Sequence, residues 1–327
     1  MLLSIVILSY NRPQEIKRIL DNLKGYKYED IDLIVKDDSS PMQDEIENVV
    51  NAYKPLINFN ISFYSNKTNL GYDKNLIDAF NITESEYVFL LSDDDFLDGK
   101  ILFSLIEQLS KRKYKVYFSP YNFNGVINRC SISNFELNNL HHVIYNSILF
   151  SGLIFERKTV LSLNIDSKFL SNCIYSQVYL ASKIIYNQAE YGFAPKGLLY
   201  VGGDGENFFG KNESAKHKHI LYDRNIITAN LNYHKFLFTV VEKIALETNI
   251  IILDLFKKEY KKRLISYGLI ARSKGITVYR DFFKGYKDKV IVKSRFTSFA
   301  LIVLFILPKF SAYKFYIVIK SIFKRSG

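Results

Sequence analysis

Three consecutive aspartates, Asp93, Asp94 and Asp95, follow the apolar run Tyr87–Leu91. Like charges side by side repel, so a carboxylate cluster at a strand end is costly unless a cation offsets it. Hard divalent ions such as Mg2+ and Mn2+ favour carboxylate oxygens and are shared readily with substrate phosphates. Alternate residues of an extended segment point the same way, so Asp93 and Asp95 suit one ion together. Taken alone, the triplet is equally consistent with a solvated acidic loop that caps the next helix.

The elements that must position these residues are legible upstream. Leu2–Leu8 reads as a buried strand and ends at Ser9-Tyr10-Asn11-Arg12-Pro13, where Pro13 suits the first turn of a helix running to Leu23. Ile31–Val35 is a second strand, ending at Asp37-Asp38-Ser39-Ser40-Pro41, with Ser40 expected to cap the helix that follows. Ile61–Tyr64 as strand, Asn66–Gly71 as loop and Asp73–Phe80 as helix form the third unit, and Tyr87–Leu91 is the fourth strand. Such alternation predicts a mostly parallel sheet with helices on both faces, whose ligands bind beyond the C-terminal strand ends. The polar clusters at 9–11, 37–40 and 92–95 all fall at that end. Further on, Val116–Phe118 and Ile148–Phe155 are expected as strands and Tyr175–Tyr186 as a helix. Long helices are expected over Ile220–Leu246 and Ile250–Arg272.

The chain has 327 residues, with 48% apolar and 24% charged content, which suits a folded chain with a sizeable core. Its two cysteines, Cys130 and Cys173, lack metal-ligand spacing and argue against a disulfide framework. The apolar start has no basic region before it and no small-residue cleavage site, so a buried strand is expected there and no signal peptide. Charge is uneven: residues 1–200 hold 20 Lys and Arg against 23 Asp and Glu, whereas residues 201–327 hold 24 against 10. A basic C-terminal third, with the apolar run Phe299–Leu307 and the aromatic-basic stretch Phe310–Phe323, suits contact with an anionic membrane surface. A terminal helix packed on the protein's own core is the plainer alternative.

In order and spacing, Ser4–Arg12, Val35–Ser40, Asn69-Leu70-Gly71 with Asn75, and Phe89–Asp95 resemble the family 2 glycosyltransferases, most of all the abequosyltransferase-type branch of O-antigen and capsule enzymes. The resemblance is good over residues 1–100, weaker at Ser151-Gly152-Leu153-Ile154-Phe155, and unreadable beyond about residue 210. It implies an α/β GT-A (nucleotide-diphospho-sugar transferase) fold over 1–210, with a nucleotide-binding half at 1–100 and an acceptor half at 101–210. A mainly helical, basic region at 211–327 follows. Carried over, it lays Ser9, Tyr10 and Asn11 along the base and ribose, gives Asp38 to the base with Asp37 beside it, and shapes a loop under the nucleotide with Asn69 and Gly71. Lys74 would reach toward the nucleotide, Asp93 and Asp94 would meet donor, and Asp95 with Asp93 would hold Mn2+ or Mg2+.

The resemblance implies an inverting transfer of one sugar from a nucleotide-sugar donor, UDP-sugar by default, to a lipid-linked glycan acceptor in bacterial surface polysaccharide synthesis. The setting would be the cytoplasmic, inner face of the plasma membrane, with no nucleic-acid partner. Inversion needs a general base, and here the chain departs from the family. Where an acidic pair usually precedes a helix, it reads Asn172-Cys173-Ile174-Tyr175-Ser176-Gln177. Asp166 and Asp204 are the catalytic candidates, with Glu190, Glu206 and the pair His141-His142 as further possibilities; Asp204 lies in Gly202-Gly203-Asp204-Gly205, a stretch suited to a lid or a plain turn. A missing base leaves room for an inactive glycan- or nucleotide-binding relative. A nucleotidyltransferase would show a Gly-rich basic loop after the first strand, and a nucleic-acid module a recognisable basic-aromatic motif; neither is present.

Overall fold

A computed structural model describes residues 1–123, 125–129, 140–171, 173–188, 190–202, 226–248, 251–290, 292–308, 311, 312, 314, 315 and 318. The chain divides into two compact units, Met1–Phe208 and Phe209–Gly327.

In the first unit β1 (Leu3–Ser9), α1 (Pro13–Leu23), β2 (Lys27–Asp37), α2 (Gln43–Tyr53), β3 (Asn58–Ser65), α3 (Tyr72–Asp78) and β4 (Tyr87–Ser92) alternate. There follow β5 (Phe96–Leu97), α4 (Gly99–Ser110), β6 (Val116–Phe118), β7 (Tyr121–Phe123), β8 (Val126–Asn128), α5 (Leu140–Ser147) and β9 (Leu153–Glu156). Next come α6 (Arg157–Leu161), α7 (Ser167–Leu170), α8 (Ser176–Gln188), β10 (Gly192–Phe193) and β11 (Leu199–Tyr200). The main sheet has the order β10-β6-β9-β4-β1-β2-β3. Strands β4, β1, β2 and β3 run parallel, as do β10 and β6, while β9 runs antiparallel to both β4 and β6. Every residue of β1 is buried, as expected of a central strand covered on both faces, and this accounts for its unbroken apolar run.

Two expectations are corrected. The predicted strand Ile148–Phe155 is a strand only from Leu153, because Gly152 takes φ +79° and breaks the extended run. A Cβ at Gly152 would come within 2.5 Å of Leu199 Cδ2 and 2.9 Å of Ser119 Cβ, so both the backbone angle and the space require glycine. Ser40 does not cap α2, whose N-cap is Met42. Instead the Ser40 N–H donates to Asp37 Oδ2 at 2.7 Å, and its carbonyl accepts from Gln43 N–H at 3.2 Å.

A small second sheet, β5-β11-β7-β8, sits at the same strand end. β5 pairs antiparallel with β11, Leu97 opposite Leu199 and Phe96 opposite Tyr200. Asp95, just before β5, is thereby brought against Gly202, just after β11.

The second unit is helical among its described residues: α9 (Ile226–Glu247), α10 (Ile251–Lys274), α11 (Ile276–Lys289) and α12 (Arg295–Ile306). Residues 220–225 of the expected Ile220–Leu246 helix, and most of Phe310–Phe323, lie outside the described residues. Tyr279 donates its hydroxyl to Leu301 O at 2.6 Å and Tyr286 pairs with Ser298 Oγ at 2.7 Å, aligning α11 with α12. His234 is buried between Tyr260 and Tyr267, and burial, with Arg263 nearby, pushes its imidazole down to about 4. No described helix is long and apolar enough to cross a membrane.

Candidate active site

The parallel strands β1, β2, β3 and β4 end side by side: Ser9 is in register with Asp37, Asp37 with Ser65, and Leu8 with Ser92. Because β1 has β2 on one flank and β4 on the other, chain direction across the sheet reverses there, and a crevice opens where polar loops diverge. The loops after β1 and β4 meet in that crevice.

The three aspartates have separate partners. Asp93 Oδ1 accepts from Arg12 Nη1 at 2.8 Å, and its Oδ2 accepts from the Tyr10 N–H at 3.2 Å. Arg12 Nη1 also lies 3.4 Å from Asp94 Oδ2, while Asp94 Oδ1 accepts from the Ser92 hydroxyl at 2.6 Å. Asp95 Oδ1 accepts from the Gly202 N–H at 3.0 Å, and its Oδ2 is buried with no hydrogen-bond partner. Burial pushes the Asp93 carboxyl up to about 7, against the pull of Arg12. Burial pushes Asp95 up to about 7 as well, against the Ser151 hydroxyl, the Gly202 N–H and Arg129.

Arg129 is the second buried guanidinium. Its Nη1 donates to Ser119 O at 3.0 Å and Ser151 O at 2.9 Å, its Nη2 donates to Leu149 O, and the group lies over the Tyr121 ring. Burial draws it down to about 10. It ties the end of β6 to the segment before β9, whose Ser151 Oγ accepts from the Ser92 N–H at 3.2 Å. No local sequence signal marks Arg129, since each partner is ten or more residues away.

The β2 end is organised by Asp38 and Lys36. Asp38 Oδ1 accepts from the Leu70 N–H (2.8 Å) and Asn66 Nδ2 (2.7 Å), and Oδ2 accepts from the Gly71 N–H (2.9 Å). Asn69 Oδ1 also accepts from Gly71 N–H, at 3.1 Å, and Gly71 holds φ +76° as α3 begins. Lys36, fully buried, donates to Asn66 Oδ1 at 2.7 Å and Asn75 Oδ1 at 2.6 Å, and pairs with Asp78 at 3.2 Å. Burial draws its ammonium down, opposed chiefly by Asp78. Sequence reading missed Lys36 because a lysine inside a strand reads as an exposed position. Asp37 is buried and raised by burial; its Oδ1 has no partner. The Tyr10 hydroxyl is raised by burial and by the charges of Asp38 and Asp37. Asn11, at φ +58°, accepts from the Met42 N–H at 3.2 Å, and the Ser9 hydroxyl is buried without a partner.

Ser9, Tyr10, Asn11, Asp37, Asp38, Asn69, Gly71 and Asp93–Asp95 therefore gather at one strand end. Lys74 is exposed on α3. Asp166 is exposed and caps α7, accepting from the Phe169 N–H at 3.0 Å. Asp204 and Glu206 lie outside the described residues, His142 is half-buried on α5, and Glu190 is exposed. The segment before α8 has no acid of its own, yet a carboxylate reaches it: Asp73 accepts from the Ile174 N–H at 2.8 Å and the Ser176 N–H at 3.3 Å. Burial raises Asp73, and those donors offset part of the rise.

Among the described residues no group of three or more His, Cys, Asp and Glu is gathered to hold a metal ion. The donor set nonetheless fits a hard cation shared with a phosphorylated ligand. Asp95 Oδ2 is a buried carboxylate oxygen lacking a partner, and such an ion takes its remaining ligands from phosphate oxygens and water.

A parallel sheet with acidic loops at its switch point and one antiparallel strand defines a nucleotide-sugar-transferase type of fold, and solved structures bear this out. Staphylococcus aureus TarS 1-349 in complex with UDP-GlcNAc superposes with a TM-score of 0.57 at 15% identity, over 100% of this chain and 92% of that one. The mannosyltransferase PcManGT from Pyrobaculum calidifontis, in complex with GDP-Man and Mn2+, gives a TM-score of 0.53 at 13% identity, over 92% and 78%. The family model Glycosyl transferase family 2 matches residues 4–175, more than half of the chain, and the chain belongs to that family. Among individual relatives, abequosyltransferase RfbV of Salmonella typhimurium is 25% identical over 97 residues, 30% of this chain and 29% of that protein. Poly(ribitol-phosphate) beta-N-acetylglucosaminyltransferase TarP of Staphylococcus aureus is 25% identical over 205 residues, 61% of this chain and 62% of TarP. The matches thus span less than two thirds of either relative's length.

Proposed function

We propose that the protein transfers one sugar, with inversion, from a nucleotide-sugar donor to a glycan acceptor carried on lipid at the inner face of the plasma membrane, in bacterial surface polysaccharide synthesis. One observation carries the reading: at the switch point of the sheet, Asp93 is neutralised by Arg12 while Asp95 beside it keeps a buried oxygen with no partner. A buried carboxylate oxygen left open at that point suits a cation shared with a donor diphosphate.

In this reading Ser9, Tyr10, Asn11, Asp37 and Asp38 bind base and ribose, and Asp38 holds the loop of Asn69 and Gly71 beneath them. Lys74 reaches for the nucleotide, Asp93 and Asp94 face the donor, and Asp95, with Asp93 close by, holds Mn2+ or Mg2+. When bound, that ion supplies Lewis-acid stabilisation of charge building on the leaving diphosphate. The acceptor hydroxyl oxygen forms a bond to the anomeric carbon as the bond to the diphosphate oxygen breaks. The bonding pair leaves with the nucleoside diphosphate, and the hydroxyl proton passes to a carboxylate. Of the two candidates, Asp204 is the one this reading favours. It stands two residues after Gly202 in the sequence, and the Gly202 N–H bonds Asp95. Asp166 is committed to capping α7. UDP-sugar is the default donor, supported by the UDP-GlcNAc bound in the TarS structure.

The test is thermal unfolding against nucleotides and nucleotide sugars, with and without Mn2+, for the wild type and Asp95→Ala. A ligand that binds only the folded state raises the melting temperature with occupancy. A metal-dependent rise with one nucleotide, absent in Asp95→Ala, is expected and identifies the nucleotide. No rise with any of them sinks the assignment. Release of nucleoside diphosphate from the stabilising donor then separates a working transferase from a binding protein.

A further inference from the structure

On α12, the last described helix, apolar side chains are exposed along one side. In α12, Thr297, Ala300, Leu301 and Leu304 are buried against the rest of the unit, where Gly268 of α10 lets Leu301 approach closely. Opposite them, Phe296 is 45% exposed, Phe299 60%, Ile302 44% and Ile306 72%. These four are spaced by three, three and four residues, which puts them along one side of a helix. Scattered exposed apolar residues are ordinary, but an aligned row on one helix marks an interaction surface.

The surroundings indicate what covers it. Residues 289–327 contain eight Lys and Arg and no Asp or Glu. Lys293 and Arg295, both exposed, stand at the start of α12, and exposed Lys284 and Lys287 flank Tyr286, whose hydroxyl pairs with Ser298 of α12. The other end is also basic: Arg272 Nη2 donates to Leu307 O at 3.3 Å, so exposed Ile270 and Ile276 on neighbouring turns stand at the same end as Ile306. A protein partner would need acidic groups opposite a long basic stretch and apolar groups between them. An anionic bilayer surface offers both everywhere, with phosphates for the lysines and acyl chains for the Phe and Ile side chains. The helix is 12 residues long, about 18 Å, against the roughly 30 Å of a bilayer core, so it suits lying in the interface.

We propose that α12 is a membrane-docking helix that inserts Phe296, Phe299, Ile302 and Ile306 among the headgroups of an anionic bilayer. This deepens the peripheral placement proposed above, and its test does not depend on transfer activity. The full chain is pelleted with vesicles of phosphatidylcholine alone or with about a third phosphatidylglycerol. Two double variants are compared, Phe299→Ser with Ile306→Ser, and Lys293→Ala with Arg295→Ala; all four positions are exposed, and the nucleotide-induced melting shift serves as the control for folding and for the donor site. Binding to the anionic vesicles only is expected, weakened about tenfold or more by the apolar pair and about fivefold per charge by the basic pair. Equal binding to both vesicles, no binding to either, or undiminished binding by the apolar pair overturns the proposal. A dimer in light scattering that the apolar pair abolishes, with vesicle binding unchanged, overturns it in favour of a second copy of the chain. Loss of the nucleotide shift with vesicle binding intact faults the donor reading alone.

Discussion

Asp95→Asn distinguishes a carboxylate kept for a ligand from one kept for the fold. Asp95 is 2% exposed, and burial holds its carboxyl at about 7 against an ordinary 3.8. Between those values the folded protein holds a proton that the unfolded chain has released, so stability falls as pH rises through this window. Three pH units at about 1.4 kcal/mol each give a cost of about 4 kcal/mol at and above pH 7, and about 2 kcal/mol at pH 5. Asparagine keeps the shape and an acceptor for the Gly202 N–H while removing the charge. Its own buried N–H groups take back about 1–2 kcal/mol. The variant is therefore expected to be more stable than the wild type by about 2 kcal/mol at pH 8, with the margin gone near pH 5 and reversed by about 1–2 kcal/mol at pH 4. Its stability should also lose about one proton's worth of pH slope between pH 5 and 7.

Urea unfolding at pH 5, 6, 7 and 8, in chelator and without nucleotide, reads both quantities. The same variant should lose the melting shift given by nucleotide with Mn2+, because on the proposed function the oxygen left unpartnered in the fold is the one offered to the ion. An Asn variant less stable than the wild type at pH 8, with the slope intact, refutes the reasoning. It would mean that Asp95 is an ionised structural group stabilised by Arg129, and that its oxygen is not held in reserve.

Other substitutions probe the supports of the site. Lys36→Met keeps the stem but strips the charge from Asn66, Asn75 and Asp78; a loss of about 3 kcal/mol in urea unfolding is expected, with a smaller nucleotide shift as the 66–71 loop loosens. Gly152→Ala forces a Cβ into Leu199 and Ser119 at a left-handed angle and should cost about 2–3 kcal/mol. Asp204→Asn is expected to lower kcat by about 10²–10⁴-fold with the nucleotide shift unchanged, whereas Asp166→Asn, an equally good cap, should leave both kcat and stability near wild type. Reversal of that pair moves the base to Asp166.

The sheet was legible because its central strands are buried on both faces and leave continuous apolar runs in β1, β2 and β4, each ending in a polar cluster. What escaped the sequence depends on distant partners. Lys36 is buried because Asn66, Asn75 and Asp78 arrive from the next loop and helix to meet its ammonium, and nothing within β2 announces them. Arg129 draws its acceptors from 119, 149 and 151. Ser40 looks like a cap by local preference, but Asp37 takes its N–H for a turn first, and the helix starts two residues later than Pro41 suggests. The run 148–155 looks like one strand because composition does not reveal a left-handed glycine at its middle.

The segment before α8 carries the same lesson into the chemistry. Read along the chain, it lacks the acid that would turn toward the acceptor, which suggests a lost activity. In three dimensions a carboxylate is there: Asp73 crosses from α3 and takes the N–H groups of Ile174 and Ser176. Those bonds, and a 6% exposure, make Asp73 a clasp between two helices rather than a free proton acceptor. A base must stand where an acceptor hydroxyl can reach it. On the proposed function, proton transfer then falls to Asp204, which follows β11 in the sequence after the Val201 N–H that bonds Asn122 O and the Gly202 N–H that bonds Asp95. On that reading donor capture and proton removal are joined through one carboxylate, because the Gly202 N–H that Asp95 accepts lies two residues along the sequence from Asp204.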